Sequence, residues 1–190
     1  MLEKLLALDK DLFVFLNGLG SPAYDGLWSF ITRQSNWIPL FLILLYFIFK
    51  KLGAKQTLYL LLFVALLVTF TDQMTNLVKN GVQRLRPCNN LEINSYIRIV
   101  QVRGSFSFFS GHASNSMAVV TLLYFTLRSY SKYFVFLFLW PIVFAYSRIY
   151  LGLHYPGDIL SGYLFGFISG FLMFKFYKMA QQKYFPQAVL

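Results

Sequence analysis

The chain has 190 residues, 57% hydrophobic and 20% aromatic, with only 13% charged and a formal net charge of +10. A soluble domain carries roughly 25% charged residues, so this composition excludes an ordinary soluble globule and predicts an all-α integral membrane protein forming a single unit over residues 1–190. The basic balance does not point to nucleic acid, because the bases lie in short loops between apolar runs, where anionic lipid head groups and the positive-inside bias account for most of them.

In chain order, Leu2, Leu5, Leu6, Leu8, Leu12, Phe13 and Leu16 recur near helical spacing among Glu3, Lys4, Asp9, Lys10 and Asp11. This pattern predicts an amphipathic helix over Met1 to Asn17 lying in the membrane interface. It lacks the basic start, apolar centre and small-residue cleavage site of a signal peptide. Gly18, Gly20 and Ser21-Pro22 break it, and Tyr24 to Thr32 forms a second interfacial segment, with Asp25, Trp28 and Arg33 unsuited to a bilayer centre. About five spans are then expected. The first runs from Trp37 to Phe49, its start reaching back through Ser35, and the second from Gln56 to Asn80. A polar connection, Gly81 to Phe109, precedes a third from Ser110 to Leu127. The fourth follows Lys132 and reaches Tyr150, and the last covers Pro156 to Phe176.

With five spans, Lys50, Lys51 and Lys55, then Arg128 and Lys132, then Lys175, Lys178 and Lys183 share one side, which the charge rule makes cytoplasmic. The other side nevertheless holds Lys79, Arg84, Arg86, Arg98, Arg103 and Arg148. An anion-binding site on the outer face would explain that excess. Cys88 is the only cysteine, which excludes an intramolecular disulfide and a cysteine-type zinc site.

Three clusters carry chemistry. Lys79, Arg84 and Arg86-Pro87 end the second span; Arg86 can fork onto phosphate and Lys79 offers a point charge, though snorkelling helix anchors would look the same. Ser110-Gly111-His112 opens the third span. Ser110 is a plausible N-cap, Gly111 allows close approach to the positive end of the helix dipole, and His112 sits one residue inside the rim, where it could donate a proton. The last cluster is Ser147-Arg148, His154 and Asp158. Arg148 can bind an anion, and Asp158 can orient the His154 ring so that its other nitrogen attacks phosphorus. Capping or interfacial roles would suffice for each cluster alone. Both histidines of the chain, however, fall in these stretches at one membrane face. Asp72, two turns before Lys79 with Thr75 and Asn76 between, is expected to face the bundle interior in a polar shell beneath the site.

Together, Lys79 with Arg86-Pro87, then Ser110-Gly111-His112, then Ser147-Arg148 with His154 and Asp158 resemble the motifs of the type 2 phosphatidic acid phosphatase (PAP2) superfamily, shared with vanadium haloperoxidases. Phe109 stands where the family usually has proline. The resemblance implies a helical core of the haloperoxidase type, with His154 as a nucleophile that becomes phosphohistidine and Asp158 holding its ring. It makes His112 the acid and then the base, and Lys79, Arg86, Ser110, Gly111 and Arg148 the phosphate binders. Fixed positive charge of this density can neutralise the transferring phosphoryl group, so no cofactor and no metal are expected. The expected partner is a phosphorylated membrane lipid: undecaprenyl diphosphate, phosphatidic acid, phosphatidylglycerol phosphate or a lipid A phosphate. The expected setting is a bacterial cytoplasmic membrane with the site on its outer face. Phosphoryl transfer between lipids is the alternative activity, and a lipid-phosphate binding or transport protein the alternative of another class. The backed histidine argues against the latter, since binding alone would need only arginines.

Overall fold

The computed structural model describes residues 1–185; residues 186–190, the end of the expected unit, lie outside the described residues. Every regular element is helical: α1 (Leu2–Gly18), α2 (Asp25–Ile31), α3 (Ile38–Val82), α4 (Gly111–Leu127), α5 (Leu139–Tyr150) and α6 (Pro156–Tyr184), with 3-10 turns at Pro22–Tyr24, Gln34–Trp37, Pro87–Asn89 and Lys132–Phe138. Among the described residues three segments are long and apolar enough to cross a membrane: Gln34–Asn89, Lys132–Tyr150 and Pro156–Tyr184. The first is two passes. Gly53 breaks the helix of α3 with φ 76° and ψ 171°, and residues on both of its arms, Leu44 and Ile48 on one and Leu61 and Val64 on the other, line one cavity. The arms therefore form a hairpin, and with α4, α5 and α6 they make the expected five passes.

The connections differ from expectation for identifiable reasons. The first span does not stop at Lys50-Lys51; the helix runs through both lysines and reverses at a single residue, because glycine alone takes that φ and ψ cheaply. Thr57 Oγ1 then bonds back to the Gly53 carbonyl at 2.7 Å. The fourth span is helical only from Leu139. Pro141 lacks an N–H and its ring would strike the carbonyl of residue 137, so it is tolerated only in a first turn, and the chain before it tightens into the 3-10 turn. The last span continues past Phe176 to Tyr184.

What positions the site is the contact between α4 and α6. Gly162, Gly166 and Gly170 recur every fourth residue on α6 and face α4. A Cβ at Gly162 would lie 2.7 Å from the Ser110 carbonyl oxygen, and one at Gly166 or Gly170 would strike the carbonyl of Ser114 or Ala118. This spacing of small residues lets two membrane helices touch backbone to backbone, where dispersion replaces the missing hydrophobic drive. It also brings the N-termini of both helices together. α4 is the central helix, with Ala113, Ser114, Ala118, Leu122 and Leu127 fully buried. α1 packs beside that corner through Phe13, whose ring meets Tyr155 edge-on at 5.3 Å. Its Asn17 amide donates to the carbonyls of Arg98, Ile149 and Tyr150 at 3.0–3.1 Å and accepts from the Arg98 N–H at 2.7 Å. The opposite face of α1 leaves Leu2, Leu5, Leu8 and Leu12 exposed, as an interfacial helix requires.

Candidate active site

Four helix ends meet at one side of the bundle: the C-termini of α3 and α5 and the N-termini of α4 and α6. The chain leaves α5 at Tyr150 and closes a tight loop in which the Arg148 carbonyl accepts from the N–H groups of Leu153 and His154, at 2.9 and 3.2 Å. Gly152 sits in this loop with φ 83°. Pro156 then starts α6 at a position where its missing donor costs nothing. Asp158 caps that helix by accepting from the Tyr155 N–H at 3.0 Å.

His154 and Asp158 are both buried. His154 Nδ1 lies 3.3 Å from Asp158 Oδ2, and Arg86 Nη1 lies 3.0 Å from His154 Nε2. A guanidinium can only donate, so Nε2 is the acceptor and the ring proton belongs on Nδ1, facing the carboxylate. The lone pair of Nε2 therefore faces the Arg86 guanidinium, on the side of the ring away from Asp158. Burial first, and then the charges of Arg86, Arg148 and Lys79, hold the His154 imidazole well below its ordinary pKa of 6.5, so it stays neutral.

Arg86 is itself fixed: its Nε donates to the Ser105 carbonyl at 2.6 Å, its Nη2 to Ser105 Oγ at 2.8 Å and its Nη1 also to the Leu153 carbonyl at 3.0 Å. Arg148 donates to Thr32 Oγ1 at 2.6 Å, while its buried Nε has no partner among the described residues. Ser110 caps α4 as expected, its Oγ accepting from Ala113 N at 3.4 Å, and its own N–H bonds the Asp158 carbonyl at 3.0 Å. Gly111 and His112 occupy the first turn, whose amides have no partner within their own helix. The His112 ring lies against Phe144, centroids 4.8 Å apart and planes 23° off parallel. His112 and Arg148 line a cavity of about 580 Å³ with Thr32, Arg33, Gln101 and Arg103. The three sequence clusters meet at this end of the bundle: Arg86 bonds His154, Ser110 bonds the Asp158 carbonyl, and His112 shares a cavity wall with Arg148.

Two expectations need correction. Asp72 does not face the interior. It is exposed on α3, and its bond is to Asn76 on the same exposed face, at 3.3 Å; Thr71 and Thr75 fill the interior face instead. The second concerns the excess outer bases, two of which serve the protein itself. Arg98 pairs with Asp25 at 2.7 Å, and Arg84 bridges Asp9 at 2.7 Å and Asp158 at 2.8 Å. The Arg98 guanidinium, then the Tyr150 hydroxyl, hold the Asp25 carboxyl below its usual range. Asp9, Thr32 and Ser105 at the site were not anticipated. A signal for Asp9 exists: Asp9, Phe13 and Asn17 recur every fourth residue on the inward face of α1.

The sequence pattern of the PAP2 superfamily matches residues 56–182. The chain is 38% identical over 180 residues to the lipid A 4'-phosphatase of Bacteroides thetaiotaomicron, covering 92% of this chain and 79% of the relative. It is 31% identical to the lipid A 4'-phosphatase of Porphyromonas gingivalis, over 96% of this chain and 78% of that one. Among solved structures, the Bacillus subtilis transmembrane PAP2-type phosphatidylglycerolphosphate phosphatase superposes with a TM-score of 0.67 at 22% identity, covering 95% of this chain and 88% of its own. Aquifex aeolicus LpxE superposes at 0.64 with 24% identity, covering 88% of this chain and 95% of its own. These two share the fold. A helical membrane bundle, the site at its helix ends and the match across most of its length make this chain an integral membrane member of the PAP2 superfamily.

Proposed function

We propose that this protein is a membrane lipid phosphatase that removes a phosphate from an amphipathic lipid through a phosphohistidine on His154, with a lipid A-type phosphoglycolipid as its substrate. The observation that carries the reading is the buried His154, backed by Asp158 at Nδ1 and holding Nε2 against the Arg86 guanidinium. The substrate class rests on the two lipid A 4'-phosphatases, similar over nearly the whole chain.

The chemistry follows from the groups in place. A phosphate oxygen takes the Arg86 N–H that now meets Nε2, freeing the lone pair. Nε2 attacks phosphorus, the bond from phosphorus to the lipid oxygen breaks, and His112, which takes up a proton as the anionic phosphate binds beside it, gives that proton to the lipid oxygen. His112 then takes a proton from water, whose oxygen attacks phosphorus; the N–P bond breaks and phosphate leaves. Lys79, Arg86, Arg148 and the Ser110/Gly111 turn hold the equatorial oxygens, which is most of what phosphoryl transfer demands. Asp158 stabilises the positive charge that the His154 ring acquires as it attacks.

An apolar cavity of about 340 Å³ lies between the α3 hairpin, α4 and α5, lined by Phe41, Leu44, Leu61, Trp140 and Phe144. Gln34 borders both this cavity and the phosphate-side one, and Phe144 also touches His112. An acyl chain seated there keeps its head group at His154. Lys50, Lys51, Lys55, Arg128, Lys132, Lys175 and Lys178 gather at the end of the bundle away from the site. By the positive-inside rule this supports a site on the outer, periplasmic face of a bacterial cytoplasmic membrane.

The test is phosphate release by detergent-purified protein from a panel of lipid A, phosphatidylglycerol phosphate, phosphatidic acid and undecaprenyl diphosphate. Release should be strongest with lipid A, persist in a chelator, stop with vanadate and vanish in His154→Ala. Undiminished release by His154→Ala would overturn the mechanism, and preference for another lipid would overturn the substrate class.

A further inference from the structure

Asp158 has two carboxylate oxygens, and the motif chemistry uses one. Oδ2 meets His154 Nδ1 and the Tyr155 N–H, whereas Oδ1 accepts from Arg84 Nη1 at 2.8 Å. The other guanidinium nitrogen of Arg84 donates to Asp9 Oδ2 at 2.7 Å, and Asp9 Oδ1 accepts from the Gly157 N–H at the start of α6, at 2.6 Å. Arg84 also stacks over the Tyr155 ring, 3.9 Å from its centroid. Asp9 and Arg84 are mostly covered, with side-chain exposures of 14% and 17%, and Asp158 is fully so. This is an unbroken chain of charge-assisted bonds from the interfacial helix α1 to the nucleophile.

We propose that Asp9 and Arg84 are positioning residues of the phosphatase, an Asp9–Arg84–Asp158 relay that holds the Asp158 carboxylate ionised and turned toward His154. A buried carboxylate with one face unpaired is costly and free to rotate or take a proton; a forked guanidinium removes both freedoms. Without Asp9, Arg84 would keep only the Asp158 carboxylate, which also serves His154; Asp9 gives the guanidinium a second anion and locks it to the α6 N-terminus. Gly157 is part of the device, since a Cβ there would lie 2.8 Å from Asp9 Oδ2 and 3.0 Å from its Cγ. The charged and titratable groups around Asp158 are Arg84 and, through it, Asp9; His154 and Tyr155; and at longer range Lys79 and Arg86. Of these, among the described residues, only Arg84 bonds Oδ1; the uncharged Ser107 hydroxyl also stands beside the carboxylate.

The inference rests on the phosphatase reading, and its test separates the two. Wild type, Asp9→Asn, Arg84→Gln, Arg84→Lys, Gly157→Ala and Asp158→Asn are purified in detergent and followed by phosphate release from lipid across pH. Arg84→Gln should lower kcat about 10- to 100-fold with KM changed less than about threefold, as loss of an orienting partner does. It should also move the acid limb of kcat to higher pH, because Asp158 loses the cation that favours its charged form. Arg84→Lys should restore part of both. Asp9→Asn and Gly157→Ala should shift kcat and the limb in the same direction by smaller amounts, and Asp9→Asn should add little to Arg84→Gln in the double variant. The position of the limb does not depend on how much of a sample is folded, so a merely destabilised variant would keep it. An active wild type with Arg84→Gln matching it in kcat and limb, while Asp158→Asn is dead, overturns the relay alone. A wild type inactive on every lipid overturns the phosphatase reading and the relay with it.

Discussion

Asp158 opens α6 and Asp72 sits in the second arm of α3; each is a carboxylate in a mostly apolar helix, and each lies four residues from a polar partner, His154 or Asn76. Local spacing gives both the look of a functional acid. Their surroundings differ entirely. Asp158 receives bonds from Arg84 in the polar connection, from the Tyr155 N–H and from His154, and its own carbonyl takes the Ser110 N–H. Among the described residues Asp72 bonds Asn76 alone, and both are exposed. A carboxylate can be kept in a buried site only where groups from distant segments arrive to satisfy it, and those groups are what fit Asp158 for the proposed role and Asp72 for none.

The strongest way to break the comparison is Asp158→Asn. The amide presents the His154 ring with a donor or a weaker acceptor, so the tautomer with Nε2 unprotonated is no longer enforced. Activity should fall about 10³- to 10⁴-fold, as in other histidines deprived of their orienting carboxylate. Phosphate release at saturating lipid measures it, and loss of less than about tenfold would mean that Asp158 is chiefly a helix cap. Next in size is Gly166→Leu, which touches neither acid. Its side chain must displace the α4 backbone at the Ser114 carbonyl, prising apart the helices that carry Ser110 and Asp158. Overpacking of this kind costs about 1–3 kcal/mol or more, read as a lowered melting temperature with activity lost in proportion.

How much of this was legible before folding depends on how far each residue reaches. His154 and Asp158, Ser110 as a cap, and Arg86 are visible from short spacings, because a helix start and its neighbouring loop fix their geometry locally. The pass count is legible because apolar length maps onto bilayer thickness. Asp9 reaching Gly157 across 148 positions is a tertiary fact with only a faint trace in the inward spacing of α1. The hairpin at Gly53 is hidden by the lysines around it, which look like a longer loop. The fourth-residue glycines of α6 are legible as a packing face, because their spacing alone puts them on one side of the helix. Asp72 was misplaced by about a quarter-turn: it stands roughly 100° from Thr71 at the centre of the interior face, and Lys79 about 80°. Lys79 is only half-buried at that edge. Its four-carbon stem can carry a charge inward from there, and one methylene cannot.

A smaller effect sharpens the acid corner through pH. In the folded protein His154 stays neutral well below 6.5, whereas in the unfolded chain it takes a proton near that value. Below 6.5 the unfolded state therefore binds more protons, so this contribution to stability is whole above 6.5 and is lost as the pH falls beneath it, by at most about 1.4 kcal/mol per unit. Melting between pH 7 and 5 should show a steeper loss for wild type than for His154→Gln, and equal slopes would place the titration elsewhere.

The smallest expected effect belongs to Asp72→Asn. The side chain keeps its shape and its hydrogen bond to Asn76, and no buried group loses a partner, because Thr71 and Thr75 bond the helix backbone at Leu67 and Thr71 without it. Its charge reaches Lys79 only as the weakest of several influences, behind burial, Arg86, Arg148 and Asp158. Activity should stay within about twofold of wild type and the melting temperature within a degree or two, the usual range for an exposed substitution. A tenfold loss of turnover would show that Lys79 draws on this carboxylate after all, and would restore to the α3 acid the site role that its exposure denies.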